Sequence, residues 1–216
     1  MHGWFRLAFI KYHFTSHRMI NHCLPLSKVF KLLFICFICF AAFNSLAQDK
    51  TKTIGHKARS GTTNNSFGVV QGAQVGIRMN AGHKLVELLK LSFHVDNLGK
   101  DTIPFKVNVY AMGDKLPEGD NLVKEEIKGT IVREKDPGGP LINNQLISVD
   151  LALYKVDVKG DILVSVEFLN TMTGKSLGFS CGLLNGGTYY KKNPDTEWKK
   201  IPIVGADFNV QVKKLK

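Results

Sequence analysis

Apolar and polar residues alternate along several stretches of this chain. At residues 89–96, leucine, phenylalanine and valine occupy every second position and are separated by lysine, serine and histidine. The same alternation recurs at residues 105–110, 162–168, 179–183 and 208–212. Because a period of two places successive side chains on opposite faces of a strand, each stretch predicts a half-buried β-strand.

The segments between these stretches are rich in turn-forming residues. Gly, Pro, Asn and Asp cluster at residues 97–99, 136–139, 185–187 and 193–195. At residues 86–89, a helical turn and a strand with a bulge both fit the sequence. Many short strands with frequent turns predict an all-β fold, namely an antiparallel β-sandwich that is jelly-roll-like.

The N-terminal part of the chain has a different pattern. Lys28 and Lys31 precede an uninterrupted apolar run at residues 32–43, and the small residues Ser45 and Ala47 follow it. This order is typical of a secretory signal peptide, and the run is shorter than the roughly 20 residues that a membrane-spanning helix needs. The predicted organisation is an N-terminal extension and signal peptide at 1–47, a flexible linker at 48–65 and a β-sandwich domain at 66–216.

The predicted mature chain is mildly basic. The sequence has 29 Lys+Arg and 18 Asp+Glu, and residues 1–47 contain five of the basic residues and none of the acidic ones. Outside the pairs Lys191-Lys192 and Lys199-Lys200, the basic residues are dispersed, whereas nucleic-acid-binding surfaces concentrate them in a stripe. We therefore predict an exported protein of the periplasm, outer surface or extracellular space, without a transmembrane span in the mature chain and without a nucleic-acid partner.

One catalytic motif is present by spacing. Residues 178–182 match the G-x-S-x-G pattern of a hydrolase nucleophile elbow, which needs a strand-to-helix turn that exposes the serine. The alternation instead places Ser180 inside a strand and Cys181 on its apolar face, where a buried cysteine packs as a small hydrophobe. A hydrolase built on Glu167 and Asp150 would need both carboxylates on one face, and the sequence gives no evidence of that arrangement. We therefore predict that the protein is not an enzyme.

Metal ligands are sparse in the predicted mature chain. The candidates for a structural calcium ion are Asp150, Asp157 and Asp161. Calcium prefers oxygen ligands from loops, but this spacing does not match a calcium-loop motif, and turn residues that face water explain it better. His56, His83 and His94 show no zinc-ligand spacing and are predicted on the surface or in loops. No other cofactor is indicated.

Aromatic and basic residues are concentrated near the C-terminal end. Tyr189, Tyr190, Trp198 and Lys199 are the candidate ligand-binding residues, because aromatic rings with polar neighbours can stack on sugar rings. Consecutive strand residues point to opposite faces, so only one of the two tyrosines can join a surface platform. Aromatic residues also dominate sandwich cores, and we expect at least one tyrosine there, while Trp198 fits either location.

A wider pattern of spacing resembles a known family. Its elements are residues 103–110, 116–122, 149–168, 176–180, 188–190 and 198–202. Together they resemble an uncharacterised bacterial envelope β-sandwich that in many members follows a carboxypeptidase-regulatory-like domain. The resemblance implies a secreted or outer-surface binding or scaffolding module, and it implies no activity. Residues 48–65 are too few to hold the upstream domain.

The sequence therefore leaves three functions in order of preference. The first is a non-catalytic binding module for a glycan or another envelope component. The second is a structural or assembly protein of the envelope that binds a protein partner, for which exposed Leu163 and Leu169 would be the mark. The third is a hydrolase.

Overall fold

The computed structural model describes residues 51–56, 63–96, 99, 101–135 and 144–215, and the predicted extension and signal peptide lie outside them. The described residues form 15 strands and a 3-10 turn at Ala152–Tyr154. In chain order the strands are β1 (Thr51–Gly55), β2 (Thr63–Gly68), β3 (Gln74–Asn80), β4 (Val86–Asp96), β5 (Ile103–Met112), β6 (Pro117–Glu118), β7 (Ile127–Ile131), β8 (Gln145–Asp150), β9 (Asp157–Val158), β10 (Asp161–Phe168), β11 (Ser176–Leu183), β12 (Thr188–Lys191), β13 (Lys199–Ile201), β14 (Val204–Ala206) and β15 (Phe208–Lys214). No helix within these ranges is long and apolar enough to cross a bilayer.

The strands form two sheets that pack as a sandwich. Sheet A has the order β1-β15-β4-β11-β14, with β8 and β9 also paired to β4 and β2 paired to β11. Sheet B has the order β13-β12-β3-β10-β5-β6, with β7 also paired to β5. Every described pairing is antiparallel. The prediction of an all-β antiparallel sandwich is confirmed.

An aromatic cluster joins the two sheets. The ring of Phe93 in β4 lies 4.9 Å from that of Phe208 and 6.0 Å from that of Phe179, both also in sheet A. It lies 5.7 Å from the ring of Phe105, which comes from sheet B. Cys181 is buried in the same core, as its position in the alternation predicts, and burial raises the pKa of its thiol.

The strand predicted at residues 89–96 begins earlier, at Val86. Gln211 of β15 lies opposite Lys90 and Val212 lies opposite Leu88, so Leu89 is an extra residue on β4. This is a β-bulge, in which two residues of one strand face one residue of its partner. Of the two interpretations of residues 86–89, the bulged strand is the one observed.

The prediction of a flexible linker at residues 48–65 is wrong where the structure describes it. β1 pairs with β15 along its length, and Ile54 packs into the core. β2 pairs with β11 from Thr63 onward. Each of these strands places one large apolar side chain on the inside, Ile54 or Phe67, so the mostly polar composition conceals them.

Candidate functional site

Strand β12 divides the two candidate tyrosines between opposite faces, as the alternation predicts. Tyr189 lies on the outer face of sheet B, next to Gly76 of β3 and Lys200 of β13, and is only 1% exposed. Tyr190 points to the other face and is half-buried. Lys199 pairs with Tyr190 and therefore shares its face. The four candidate residues do not form one site.

Trp198 lies over the outer face of sheet B and is half-buried. Its ring meets the ring of Tyr110 edge-on, with centroids 5.8 Å apart and an interplanar angle of 71°. The ammonium group of Lys191 lies 5.9 Å from the Trp198 ring. We call Trp198, Tyr110 and Lys191 the Trp198 cluster. Lys200 beside it lies 5.2 Å from the buried Tyr189 ring, which is within cation–π distance.

A tight turn positions Trp198 above the sheet. Asn193 accepts a hydrogen bond from the Asp195 backbone N–H at 3.1 Å, the geometry by which an Asn side chain initiates a turn. Thr196 Oγ1 accepts from the Lys192 backbone N–H at 3.1 Å. Lys191 Nζ donates to the Pro194 carbonyl at 3.1 Å, so it links the turn to β12.

A buried polar network supports Tyr110 from below. Gln74 Oε1 accepts from Ser165 Oγ at 2.9 Å and from Asn108 Nδ2 at 3.2 Å. Gln74 Nε2 donates to the Tyr110 hydroxyl at 3.2 Å, and burial raises the pKa of that phenol. Because Gln74, Asn108 and Ser165 are buried and mutually hydrogen-bonded, Tyr110 has a fixed orientation under Trp198.

The same network continues toward charged residues. Asn108 Nδ2 donates to Glu167 Oε2 at 2.6 Å, and Lys106 Nζ lies 3.2 Å from the other oxygen of that carboxylate. Asn121, from the connection after β6, donates to Asn108 Oδ1 at 2.8 Å. The sequence pattern does not indicate this network. In an alternating strand its residues indicate a solvent-facing side, and only the covering segments around Asn121 and Trp198 bury them.

The exposed leucines that would mark a protein-binding face are not observed, since Leu163 is buried and Leu169 is half-buried. Leu163 lies on the outer face of sheet B between Arg78 and Tyr110 and is fully buried. The exposed apolar residues Leu183, Leu184 and Ile203 lie instead at the end of the β11–β14 pair.

The three candidate calcium ligands lie on separate elements. Asp150 ends β8 and accepts from the Ala152 backbone N–H at 2.9 Å. Asp157 is an exposed residue of β9 in the same sheet. Asp161 starts β10 in sheet B, where the guanidinium of Arg78 holds the pKa of that carboxyl below its usual range. No group of three His, Cys, Asp or Glu side chains in the described ranges is placed to hold a metal ion, so calcium binding here stays a prediction.

The residues considered for hydrolysis are also separated. Ser180 lies inside β11, is 1% exposed and donates to the side-chain carbonyl of Asn144, so the strand prediction for residues 178–182 is confirmed. Glu167 belongs to sheet B, whereas Asp150 belongs to sheet A. Because these carboxylates lie in different sheets, they do not form the pair that a hydrolase would need.

The prediction of surface or loop histidines holds for His83, which is exposed. It is wrong for His94, a residue of β4 whose Nδ1 lies 2.6 Å from the carboxylate of the buried Asp207. His56 is half-buried, and its Nδ1 bonds the Ala206 carbonyl at 3.0 Å. Burial raises the pKa of Asp207 and lowers the pKa of His56.

We expect His56 to make stability depend on pH. In the unfolded chain, His56 takes up a proton near the ordinary imidazole pKa of about 6.5. In the folded chain, burial lowers the pKa of His56, so protonation requires a lower pH. The stability associated with His56 is therefore present above about pH 6.5 and is lost as the pH falls toward the folded-state pKa. The urea concentration at the unfolding midpoint should decrease as the pH is lowered from about 7.5 to about 5.5. His56→Gln should make that decrease smaller.

The raised pKa of Asp207 changes the stability in the opposite direction. Because the folded state favours the neutral carboxyl, this contribution to stability grows as the pH falls. Asp207 is present in both proteins, so the difference between wild type and His56→Gln reports on His56 together with its charge interaction with Asp207. Identical pH dependence in the two proteins would contradict this assignment.

Comparison with solved structures gives a distant likeness. No protein-family model and no curated relative matches the sequence. Among solved structures, the chain is similar to the crystal structure of the cysteine protease and lectin-like domains of Cwp84, a surface layer associated protein of Clostridium difficile. The TM-score is 0.45 and the identity 12%, over 73% of this chain and 37% of that chain. A likeness at this level carries no argument about function, which rests on the geometry of the site.

Proposed function

We propose that this protein is a non-catalytic, exported binding module that holds an acidic glycan of the cell envelope on the Trp198 cluster. The observation that carries the proposal is the half-buried Trp198 ring, held edge-on to Tyr110 above a hydrogen-bonded polar network. The signal-peptide pattern of residues 1–47 supports export.

The rigidity of the Trp198 cluster favours binding. An aromatic ring that is already oriented loses little conformational entropy when a ligand stacks on it. The turn at residues 193–196 fixes Trp198 from one side, and Tyr110 supports it from the other. The apolar face of a sugar ring can lie on the indole ring. The hydroxyl groups of the sugar can then reach polar neighbours.

The charge around the cluster favours an acidic ligand. Residues 191–200 contain four lysines against Asp195 and Glu197. Lys191 and Lys200 lie at the cluster itself. The attraction of these lysines for acidic groups should weaken as salt is added, because exposed charges are already screened at an ionic strength of about 0.1 M.

The test is a binding assay of the purified full chain on insoluble envelope polysaccharides, acidic and neutral, at low and high salt. We expect Trp198→Ala to lose about tenfold or more of the affinity, as truncation of a central tryptophan does in other interfaces. Trp198→Phe, which keeps a ring at the same position, should retain most of it. Equal unfolding midpoints of the variants and wild type control for folding.

The glycan site would be refuted if the Trp198→Ala variant bound glycan as tightly as the wild type does. It would also be refuted if the wild type bound no glycan in the panel. Equal binding of acidic and neutral polysaccharides would refute the role given to the lysines.

A second candidate function rests on a separate observation. Leu184 is 85% exposed, and Leu183 and Ile203 beside it are exposed as well. Adjacent exposed apolar side chains are typical of protein-binding surfaces. If the protein is an assembly factor instead, Leu184→Lys should abolish its retention on isolated envelopes while Trp198→Ala leaves that retention unchanged.

A further inference from the structure

A concave surface lies between the open edges of the two sheets. It is a cleft of about 360 Å³ between β2 of sheet A and β12 and β13 of sheet B. Phe67 of β2 and Tyr190 of β12 meet across it with ring centroids 5.7 Å apart. The cleft is on the opposite side of β12 from Tyr189, and Lys191 is the one residue of the Trp198 cluster that also lines it.

The walls of the cleft are mainly apolar. Val75 is buried at its base, Phe67, Tyr190 and Ile201 are half-buried in its walls, and Val70 is 38% exposed at its edge. The side chains in the walls and at the edge leave apolar surface in contact with water. A ligand that covers that surface gains roughly 25 cal/mol for each Å² removed from water.

The rim of the cleft is basic. The described residues that line it include Lys191 and Lys192 and no carboxylate. Lys191 is committed to the Pro194 carbonyl and to the Trp198 ring. Lys192 is exposed and follows Tyr190 closely in the chain, so its ammonium group can reach a ligand whose tail lies against the tyrosine.

We propose that this cleft binds a single-chain amphiphile with an acidic head group, such as a fatty acid, with its tail on Phe67 and Tyr190 and its head beside Lys192. The volume lies at the lower end of the roughly 300–1,000 Å³ range of small-molecule pockets, so it suits one chain and not a bilayer surface. This inference is independent of the glycan proposal.

The first experiment measures the affinity of the full chain for hexanoate, octanoate and decanoate by calorimetry, below the micelle concentrations. Each added methylene group that enters the cleft should raise the affinity about fourfold. Decyltrimethylammonium, with the same tail and the opposite charge, should bind more weakly than decanoate. Affinity that does not increase with chain length would overturn the proposal. So would binding to vesicles of anionic lipid without binding to the free carboxylates.

Two surface variants assign that binding to the cleft. Val70→Asp places a carboxylate at its edge and should lower decanoate affinity about tenfold or more. Lys192→Glu should lower decanoate affinity and raise the affinity for decyltrimethylammonium. Lys84→Glu makes the same change at an exposed lysine outside the lining and is the matched control. Both cleft variants leave the apolar run at residues 32–43 intact, so a difference from wild type cannot come from that run.

If Val70→Asp and Lys192→Glu bind decanoate as the wild type does, the cleft is not the site. Trp198→Ala should leave decanoate binding unchanged, and Val70→Asp should leave glycan binding unchanged. Failure of one proposal is therefore distinguishable from failure of the other.

Discussion

Phe93→Ala is expected to lower the free energy of unfolding by about 3–5 kcal/mol. Phe93 is fully buried and contacts the rings of Phe105, Phe179 and Phe208. Since Phe105 belongs to sheet B and the other three residues belong to sheet A, the cavity would open at the interface between the sheets. Surrounding strands paired on both sides cannot collapse easily into that space, so we expect a cost near the upper end of the range.

Urea denaturation at neutral pH measures this cost. Leu153→Ala is the control, because Leu153 is 82% exposed and its truncation should change stability by no more than about 0.5 kcal/mol. A Phe93→Ala cost below about 1.5 kcal/mol would mean that the aromatic cluster does not hold the sheets together.

Gly76→Ala is expected to destabilise the protein by about 2 kcal/mol or more, although it adds a single methyl group. A Cβ at position 76 would lie 2.3 Å from the Val164 carbonyl oxygen and 2.7 Å from the Ser165 Cα. Gly76 lies in β3, which pairs with β12 on one side and β10 on the other. Because the methyl group meets backbone atoms, relief requires β3 and β10 to separate, and that movement would also disturb Tyr189 beside Gly76.

Gly68→Ala is the matched control for this substitution. Gly68 also lies in a strand, but a Cβ there would meet only Val70 Cγ2 beyond its chain neighbours, at an ordinary contact distance of 4.0 Å. Its effect should stay within about 0.5 kcal/mol, since added Cβ atoms at unstrained positions mainly restrict the unfolded chain. Equal unfolding midpoints for the two variants would contradict the close approach of β3 and β10.

The core strands β4, β5, β10, β11 and β15 could be predicted because their apolar residues recur with a period of two. β1 and β2 could not, since each has one large apolar residue, Ile54 or Phe67, and an alternating pattern needs several. These strands form because β15 and β11 offer unpaired backbone groups, and that partnership joins segments far apart in the chain.

The sequence could predict one residue of the candidate site from its type, but it could not predict which residues surround it. The sequence indicates Trp198 through its indole ring, but it does not indicate the partner ring of Tyr110, which lies in a distant strand. Alternation assigns Leu163 and Gln74 to the side opposite the core, and it carries no information about whether another segment covers that side. Here Asn121 and Trp198 approach from the two ends of sheet B. Their long-range contacts convert an apparent surface into a buried polar layer.

The division of Tyr189 and Tyr190 between two faces makes the register of β12 a shared determinant of both surfaces. A single-residue insertion or deletion in β12 would exchange the faces of the residues that follow it. Lys191 would turn away from Trp198, and Tyr190 would leave Phe67 for the outer face. Both proposed binding surfaces would then be lost by one change in length, even though no residue type had been altered.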